Sequence, residues 1–325
     1  MQTRERVLEL LESHRGERIS GETIAETLSV SRNAVWKAIR TLRAEGYAIT
    51  AATNSGYCLA AENDVLSAAG IRALLPPEFS AYASLLQVYP TLESTNRTAK
   101  ELALAGAAHG TAVIAAAQTA GRGRCAREFF SPPGGLYMSV ILHPDRLCFS
   151  EITAVTAFAA VAVCETLEAV SGRKPQIKWV NDIFLDGKKV CGILTEGVTD
   201  LETGALGWVA VGIGVNVSTQ EADFPEPLRS IAAPVFPDAS QPDAKNRIAA
   251  GILTRLLGTP PEQDALFAAY ADRLMLLGQE VTVVQGEREF RAVAAGIDSA
   301  GHLRIRMHDG TEQTLSAGEI RILPE

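Results

Sequence analysis

Cysteine is scarce in this chain of 325 residues, and no two of its five cysteines have the spacing of a metal site or a redox motif. They are Cys58, Cys125, Cys148, Cys164 and Cys191. Such scatter indicates reduced thiols in a reducing compartment. No uninterrupted apolar run is long enough to span a membrane, and the amino terminus opens with charged residues in place of an apolar signal segment. We therefore expect a cytoplasmic protein with no membrane partner.

The net charge is negative, at −8, which argues against nucleic-acid binding by the chain as a whole. It does not exclude one basic module, because binding depends on how charge is distributed over the surface. Hydrophobic residues make up 47% of the chain and charged residues 21%, which is the composition of a globular protein with ample material for a core. The length exceeds that of one typical domain and predicts two or three.

Residues 1–62 are predicted to form a winged helix-turn-helix. Ser20 and Ser31 each precede a segment of helical periodicity, and both are predicted helix N-caps. Residues 47–59 predict two short strands about a turn at 54–56, which would form the wing. The predicted core residues are Leu8, Leu11, Ile24, Leu28, Val35, Ile39 and Leu42.

The rest of the chain divides into a connector, a central domain and a small tail. Residues 63–84 contain Pro76 and Pro77 but also a helix-compatible stretch, and we expect a structured connector. Residues 85–272 alternate helical and strand-like segments, which predicts a mixed α/β domain. Residues 273–325 hold four short strand candidates between turn residues, and a small antiparallel β-barrel is the expected arrangement. The predicted fold class is therefore α+β multidomain.

Glycine and arginine alternate at Gly121, Arg122, Gly123 and Arg124, and Arg127 follows closely. Glycines let the backbone approach a ligand, and guanidinium groups bind carboxylates or phosphates through charge-assisted hydrogen bonds. The alternative is a plain surface loop, which such runs also form.

A second motif extends from Lys178 to Asp182 and is followed by Lys189 at the start of a predicted strand. Asp182 is suited to hold Mg²⁺ through oxygen ligation, and lysines neutralise phosphate charge. The alternative is a hairpin with a solvated basic tip. That alternative accounts for Lys188 but less well for Lys189, because strand alternation places the two on opposite faces.

Two further segments carry glycine or small polar residues. Gly212, Gly214 and Asn216 belong to a nearly apolar predicted strand, where glycines mark either close approach of a ligand or tight core packing. Ser94 and Thr95 stand at the start of a predicted helix. A hydroxyl residue there is an N-cap by default, and it can also face a ligand.

These motifs, in this order, resemble the catalytic domain of biotin protein ligases. The resemblance is carried by residues 94–96, 118–124, 131–137, 178–182, 189–194 and 212–216. With a winged module before it and a Src-homology-3-like tail behind it, the whole chain is similar to the bacterial form that is both biotin ligase and biotin operon repressor. There are two departures. Cys125 and Ala126 stand where the family usually has arginine or another residue and then glycine, and Val180 stands where it usually has proline.

The resemblance implies ATP-dependent activation of biotin to biotinyl-5′-AMP and transfer of biotin to a lysine of biotin carboxyl carrier protein. It also implies Mg²⁺ at Asp182, operator DNA as a partner, and a homodimer promoted by the adenylate. The implied catalytic residues are Lys189, Arg124, Asp182 and Lys178. The implied biotin contacts are Ser94, Thr95, Asn96, Gln118, Gly121, Arg122, Gly123, Arg124, Lys189, Gly192 and Gly214. The implied ATP contacts are Arg122, Arg124, Asn181 and Asn216.

The helix expected at 31–45 has a basic outer face, which suits a DNA major groove. Its predicted DNA contacts are Arg32, Asn33, Trp36, Lys37 and Arg40. A protein-interaction module with a solvated basic face is the alternative. Three rival functions remain open from the sequence: a biotin sensor without catalysis, a lipoate ligase, and a biotin ligase whose helix-turn-helix does not bind DNA.

Overall fold

The computed structural model of the protein describes residues 2–52, 55–147, 149, 151–199, 206–238, 241–285, 288–316 and 318–322. Two residues considered above, Cys148 and Asn54 of the predicted wing turn, lie outside these ranges. The first elements are α1 (Thr3–Ser13), α2 (Gly21–Leu28), α3 (Arg32–Ala44), β1 (Ile49–Ala52) and β2 (Gly56–Leu59). Next come α4 (Ala68–Leu74) and a 3₁₀ helix (Pro77–Leu85).

The amino-terminal helices form the predicted winged helix-turn-helix. The Ser20 hydroxyl accepts a hydrogen bond from the backbone N–H of Thr23 at 2.9 Å, and that of Ser31 accepts one from Ala34 at 3.2 Å, so both predicted caps are confirmed. β1 and β2 pair antiparallel as the wing. All seven predicted core residues are buried in one apolar cluster.

A seven-stranded sheet forms the centre of the molecule. Its strands are β3 (Leu86–Tyr89), β4 (Ala112–Ala115), β5 (Gly135–Leu142), β6 (Gln176–Lys178), β7 (Asp182–Leu185), β8 (Lys188–Thr199) and β9 (Leu206–Asn216). They lie in the order β3-β4-β5-β9-β8-β7-β6, and all neighbours are antiparallel except β3 and β4. The chain turns between β7 and β8 at Asp186 and Gly187, both at positive φ, as a tight hairpin requires.

Helices cover both faces of this sheet. The helices of the central domain are α5 (Thr95–Leu104), α6 (Ile152–Ser171), α7 (Glu226–Arg229), α8 (Ala244–Leu257) and α9 (Gln263–Ala271). α5 packs on one face against β4, β5 and β9, and α6 packs against β8, α8 and α9. α6 is long and apolar enough to cross a membrane, with a mean hydropathy of 1.6, but 72% of that window is buried in the protein. The structure therefore uses α6 as the core helix that its apolar composition also allows.

A five-stranded antiparallel sheet ends the chain. Its strands are β10 (Glu280–Gln285), β11 (Arg288–Ile297), β12 (Leu303–Arg306), β13 (Glu312–Leu315) and β14 (Glu319–Ile322), in the order β13-β12-β11-β10-β14. The four predicted strands are present, and β14 is a fifth that the sequence prediction missed. The expected closure into a Src-homology-3-like barrel is not confirmed by this strand order.

The amino-terminal helices meet the central domain through buried polar groups. The Arg15 guanidinium lies 2.6 Å from a carboxylate oxygen of Glu12 and 3.0 Å from one of Asp243, the residue that precedes α8. Asn246 donates a further hydrogen bond to Asp243 at 2.7 Å. Burial raises the pKa of both Glu12 and Asp243, because the charged carboxylates are removed from water. One cation therefore bridges two carboxylates that belong to different domains.

Candidate functional site

A cavity lies where the central sheet, the loop between β4 and β5, and the carboxyl-terminal sheet meet. Its lining includes Ser94, Thr95, Asn96, Gln118, Arg122, Gly123, Arg124, Arg127, Lys178, Asn181, Asp182, Lys189, Gly192 and Gly214, all of them predicted site residues. The motifs singled out in the sequence are thus brought together around one space. Five cationic and two acidic side chains line the cavity, so it attracts anions.

Lys189 lies at the edge of the cavity, where β8 begins. Its ammonium group is 2.7 Å from a carboxylate oxygen of Asp182, and both side chains are about three-quarters buried. The Lys189 backbone N–H donates to Ile231 at 2.8 Å, and its carbonyl accepts from Ala233 at 3.0 Å. These bonds fix the main chain at the start of the side chain, and the contact with Asp182 orients the ammonium group. It is a compact cation placed beside a carboxylate, which suits phosphate chemistry.

The glycine/arginine loop folds over the cavity as a short hairpin. The backbone N–H of Gly123 donates to Arg127 at 2.8 Å, and Cys125 and Ala126 occupy the tip with φ of 55° and 57°. The Arg124 guanidinium donates to the side-chain oxygen of Asn181 at 3.2 Å. This bond connects the loop to residues 178–182, the lysine-tryptophan motif. The family usually has glycine at the position of Ala126. The backbone of Ala126 is in the left-handed region, which glycine adopts more easily than a residue with a β-carbon.

The lysine-tryptophan motif is fixed from the other side. The Trp179 indole N–H donates at 3.1 Å to the carbonyl of Gly301, in the turn between β11 and β12, and the Tyr270 hydroxyl donates to the carbonyl of Val180 at 2.9 Å. Burial raises the pKa of the Tyr270 phenol, which stays a neutral donor. The Trp179–Val180 peptide bond is cis. These contacts place Lys178 and Asn181 on the same wall as Lys189.

At the other end of the cavity lies a group of uncharged polar side chains. The side-chain oxygen of Gln118 accepts from the backbone N–H of Thr95 at 2.8 Å and lies 3.2 Å from its hydroxyl. The Gln118 amide nitrogen donates to Ser131 at 2.9 Å. The Ser94 hydroxyl accepts from the backbone N–H of Arg97 at 3.5 Å, so it caps α5 while it also lines the cavity.

Glycines form the floor between these two ends. Gly192 and Gly214 lie opposite each other on β8 and β9. The ring of Phe129 covers both, since a β-carbon at Gly214 would lie 2.4 Å from that ring and one at Gly192 would lie 2.9 Å from it. The glycines therefore let an aromatic ring of the loop approach the sheet, which is the close approach that glycines in an apolar strand indicate.

Two predicted ligand residues are not among those that line the cavity. Gly121 faces the loop itself, where a β-carbon would lie 2.4 Å from the Ser131 hydroxyl and 2.5 Å from the Phe129 carbonyl. Asn216 is 5% exposed at the end of β9, and its carbonyl accepts from the backbone N–H of Val235 at 2.7 Å. Their predicted contacts with biotin and with ATP stay predictions, and the structure gives both residues a packing role.

The comparisons with known proteins agree with this arrangement. The biotin/lipoate A/B protein ligase family matches residues 88–216, a helix-turn-helix domain family matches 3–58, and the biotin protein ligase C-terminal domain family matches 276–322. The bifunctional ligase/repressor BirA of Bacillus spizizenii is 36% identical over 97% of this chain and 97% of its own length. The BirA of Bacillus subtilis has the same identity and coverage.

The chain belongs to the bifunctional biotin ligase/repressor family. A solved structure of the biotin protein ligase from Aquifex aeolicus in complex with biotin and ATP is similar to 73% of the chain, with 97% of that protein covered, 26% identity and a TM-score of 0.59. The similarity to curated relatives over nearly the full chain includes the helix-turn-helix, which separates this bifunctional family from ligases that are catalytic domains alone.

The outer face of α3 is open to solvent. The predicted contact residues Arg32, Asn33, Trp36, Lys37 and Arg40 are all exposed, and Trp36 is 49% exposed. The Arg40 guanidinium lies 5.0 Å from the centre of the Trp36 ring, one helical turn away on the same face. Arg43 differs, because it donates to the carbonyl of Ile49 at 2.8 Å and connects α3 to the wing.

A magnesium ion fits the acidic side of the cavity only if it is bound by the protein and a nucleotide together. No group of three or more histidine, cysteine or acidic residues suitable for a metal occurs in the described part of the chain. Asp182 is a single carboxylate beside Lys189. Mg²⁺ commonly binds through one or two carboxylates together with phosphate oxygens and water, so Asp182 is sufficient when a nucleotide supplies the other ligands.

Sequence reasoning missed three residues of this site. Phe129 covers the glycine floor, and Ser139 and Glu196 make hydrogen bonds behind the cavity. Ser139 had a detectable signal, since it is one hydroxyl within the apolar run of β5, and a buried hydroxyl needs a partner. Glu196 had none, because its partner Asn96 is 100 residues away in sequence.

Proposed function

We propose that this protein activates biotin with ATP and transfers it to a lysine of an acceptor protein, the biotin carboxyl carrier protein. We also propose that it binds operator DNA in response to biotin. The supporting observation is that one cavity combines a cationic end with an end of neutral hydrogen-bonding groups. Biotin has the matching polarity, because it carries a carboxylate on one side and an uncharged cyclic urea on the other.

The first step joins two anions, so the protein must neutralise charge before the bond forms. A biotin carboxylate oxygen attacks the α-phosphorus of ATP, and the bond from that phosphorus to pyrophosphate breaks. Lys189 neutralises the carboxylate and the α-phosphate, and Arg122 and Arg124 close over the adenylate, with Lys178 and Arg127 adding positive charge. Asn181 and Asn216 are the proposed contacts of the nucleotide. Asp182 would hold Mg²⁺, which supplies further neutralisation of the phosphates.

In the second step, the neutral amine of an acceptor lysine attacks the activated carbonyl. An amide bond forms, the bond to AMP breaks, and the amine proton passes to water. No enzyme nucleophile is needed, because the activated group remains on the ligand. Burial raises the pKa of the Cys191 thiol beneath the site, so it is protonated and unreactive. The loop that covers the adenylate also excludes water, which would hydrolyse it.

The regulatory proposal rests on α3 and on its position in the chain. Its exposed basic face is suited to a major groove, and the wing would add contacts to the DNA backbone. We propose a cytoplasmic protein that acts as a homodimer on two half-sites, with the adenylate favouring the dimer. The proposed domains are 1–62 for DNA binding, 63–84 as connector, 85–272 for catalysis and 273–325 as the small carboxyl-terminal domain.

Lipoate is the competing substrate, since the matching family includes lipoate ligases. The dithiolane ring of lipoate has no N–H or carbonyl to pair with Thr95 and Gln118, and leaving such buried groups unpaired is costly. A site built from these residues therefore favours the cyclic urea of biotin. Competition between the two acids for labelling of an acceptor decides between them.

The decisive experiment is incubation of the protein with labelled biotin, ATP, Mg²⁺ and a biotin-acceptor domain. Label should enter the acceptor only when all four components are present, and unlabelled biotin should compete where lipoate does not. If no label enters the acceptor, the protein is a biotin sensor without catalysis. If the acceptor is labelled but the protein with biotin and ATP does not shift operator DNA in a gel, the protein is a ligase that does not regulate transcription.

A further inference from the structure

A line of hydrogen-bonded polar side chains crosses the central sheet behind the cavity. It begins at Glu196, passes through Asn96 and Ser139, and ends at Thr95. Ser139 is fully buried, and Thr95 and Asn96 are 4% and 5% exposed. Since Ser139 lies on β5 and Glu196 on β8, the Asn96 side chain spans β9, the strand between them. Buried groups of this kind have few arrangements that satisfy all partners.

The orientation of Asn96 follows from its neighbours. Its amide group bonds to the carbonyl of Leu194 at 3.2 Å and to a carboxylate oxygen of Glu196 at 2.7 Å. Both partners can only accept, so the amide nitrogen must face them and the amide oxygen must face away. There is space for this side chain because a β-carbon at Gly212 would lie 2.4 Å from the Asn96 oxygen.

The orientation passes from Asn96 to Ser139. The Ser139 oxygen lies 2.8 Å from the Asn96 amide oxygen and 2.8 Å from the Thr95 hydroxyl. The amide oxygen cannot donate, so Ser139 must give it the single hydrogen that a hydroxyl carries. The Thr95 hydrogen then has two acceptors in reach, the Ser139 oxygen at 2.8 Å and the Gln118 amide oxygen at 3.2 Å, and the shorter contact favours Ser139. With its hydrogen used in this way, the Thr95 hydroxyl can only accept a hydrogen bond from a ligand.

Gln118 is oriented from the opposite direction. Its amide oxygen accepts from the backbone N–H of Thr95, and its amide nitrogen donates to Ser131, which in turn donates to the carbonyl of Phe129 at 2.7 Å. The nitrogen keeps one more hydrogen to donate. The cavity therefore presents an acceptor at Thr95 and a donor at Gln118, which complements the N–H and C=O groups of a cyclic urea.

We propose that Ser139 and Glu196 are positioning residues that fix the Thr95 hydroxyl as an acceptor, and that this fixed polarity makes the site select a ring N–H. The proposal rests on the proposed function, because it assigns the cyclic urea of biotin to this end of the cavity. Neither residue needs to touch the ligand. Each acts through the next group in the line, and the expected effect is on selectivity more than on overall fold.

Two analogues of biotin test the proposal, each with one ring N–H of the urea replaced by oxygen. The analogue that places oxygen against Thr95 sets two acceptors face to face, so we expect it to bind the unaltered protein at least ~100-fold more weakly than biotin. Ser139→Ala removes the nearer acceptor and leaves the Thr95 hydrogen only the 3.2 Å contact with the Gln118 oxygen, so the hydroxyl turns more readily to donate to the ring oxygen. The ratio of the dissociation constant of this analogue to that of biotin, measured by calorimetry without ATP, should then fall below ~10.

Two further variants separate polarity from simple loss of stability. Thr166→Val removes another buried hydroxyl, one that bonds only within α6, and should leave the ratio unchanged. Where Ser139→Ala does not fold, Glu196→Gln serves instead, because its side chain is about one-third exposed. A single amide oxygen cannot serve both Asn96 and Lys100, so the ratio should fall at least about threefold. Lys100→Gln, which keeps the carboxylate, should not change it.

The outcomes distinguish the positioning role of Ser139 and Glu196 from the proposed biotin ligase function. A protein that binds biotin but shows the same ratio in Ser139→Ala and Glu196→Gln would overturn the role of the polar line and leave the ligase function standing. A protein that does not bind biotin would overturn both. A fall in the ratio for the two variants, with none for their controls, supports the proposal.

Discussion

Among single residues, Lys189 is the one on which the chemistry depends most. Its main chain is hydrogen-bonded to Ile231 and Ala233, and its ammonium group lies beside Asp182. Replacing it by alanine should lower biotin-dependent pyrophosphate release by at least ~100-fold, because charge at the reacting centre is no longer neutralised. Lys188→Ala is the matched control, since that neighbour lies beside the hairpin tip and donates to the carbonyl of Ser230 at the end of α7. Near-normal release by Lys189→Ala would remove the residue from the mechanism.

Arg124 supports a different prediction, about retention of the intermediate. Its guanidinium reaches from the loop to Asn181 across the cavity. Arg124→Ala should speed dissociation of the adenylate about 10- to 100-fold, since a hydrogen bond to a charged group is lost. Biotin binding should change little, because the urea end is formed by other residues. Stopped-flow release of the adenylate measures the effect, and an unchanged rate would contradict the proposed closure.

At the scale of elements, α3 carries the regulatory function. Arg40→Ala should weaken binding to duplex DNA about tenfold and make its salt dependence shallower by about one unit, because one phosphate contact is lost. Ligation should be unaffected, since α3 lies in the amino-terminal domain. Arg97→Ala, on the exposed face of α5, is the control of equal charge. Gel shifts at several salt concentrations provide the test, and equal slopes for both variants would exclude α3 as the contact surface.

Local chemistry explains why most elements could be predicted. Ser20 and Ser31 bind the helix ends next to them, and Asp186 with Gly187 forms its hairpin from adjacent residues. The site was predictable at the level of its motifs, which occur as short consecutive runs. The partners of Ser139 were not predictable, because Thr95 and Asn96 reach it only through the packing of α5 on the sheet. β14 was missed although Ile320 and Ile322 alternate with charged residues.

At the scale of the whole molecule, the arrangement of domains depends on contacts between distant residues. Arg15 and Asp243 are separated by 228 positions, and no periodicity or motif could have paired them. Lys245 and Asp64 form a second ion pair between the start of α8 and the chain just before α4. The segment that contacts Lys189, residues 231–233, precedes Asp243 on the same stretch of chain. The residues that bond to the main chain of Lys189 and the carboxylate that pairs with Arg15 are therefore close along the sequence.

The charge balance of Arg15, Glu12 and Asp243, where the amino-terminal and central domains meet, leads to a prediction about pH. Arg15→Met should lower the free energy of unfolding by about 3 kcal/mol at neutral pH, because it leaves two buried carboxylates without their cation. Burial already raises the pKa of Glu12 and Asp243, and the loss of Arg15 raises both further. A raised carboxyl pKa in the folded state means that folding favours the protonated form, so this stability is present at low pH and is lost as pH rises through the folded pKa.

The deficit of Arg15→Met relative to the unaltered protein should therefore be small in mildly acidic buffer and grow towards neutral and alkaline pH. Urea unfolding at pH 5 and pH 8 measures it. Arg255→Met is the matched control, because Arg255 pairs with Glu165 at 3.0 Å on a more exposed surface, where ion pairs contribute little. A deficit that grows on acidification would mean that the carboxylates are stabilised by some other cation, and that Arg15 does not hold the two domains together.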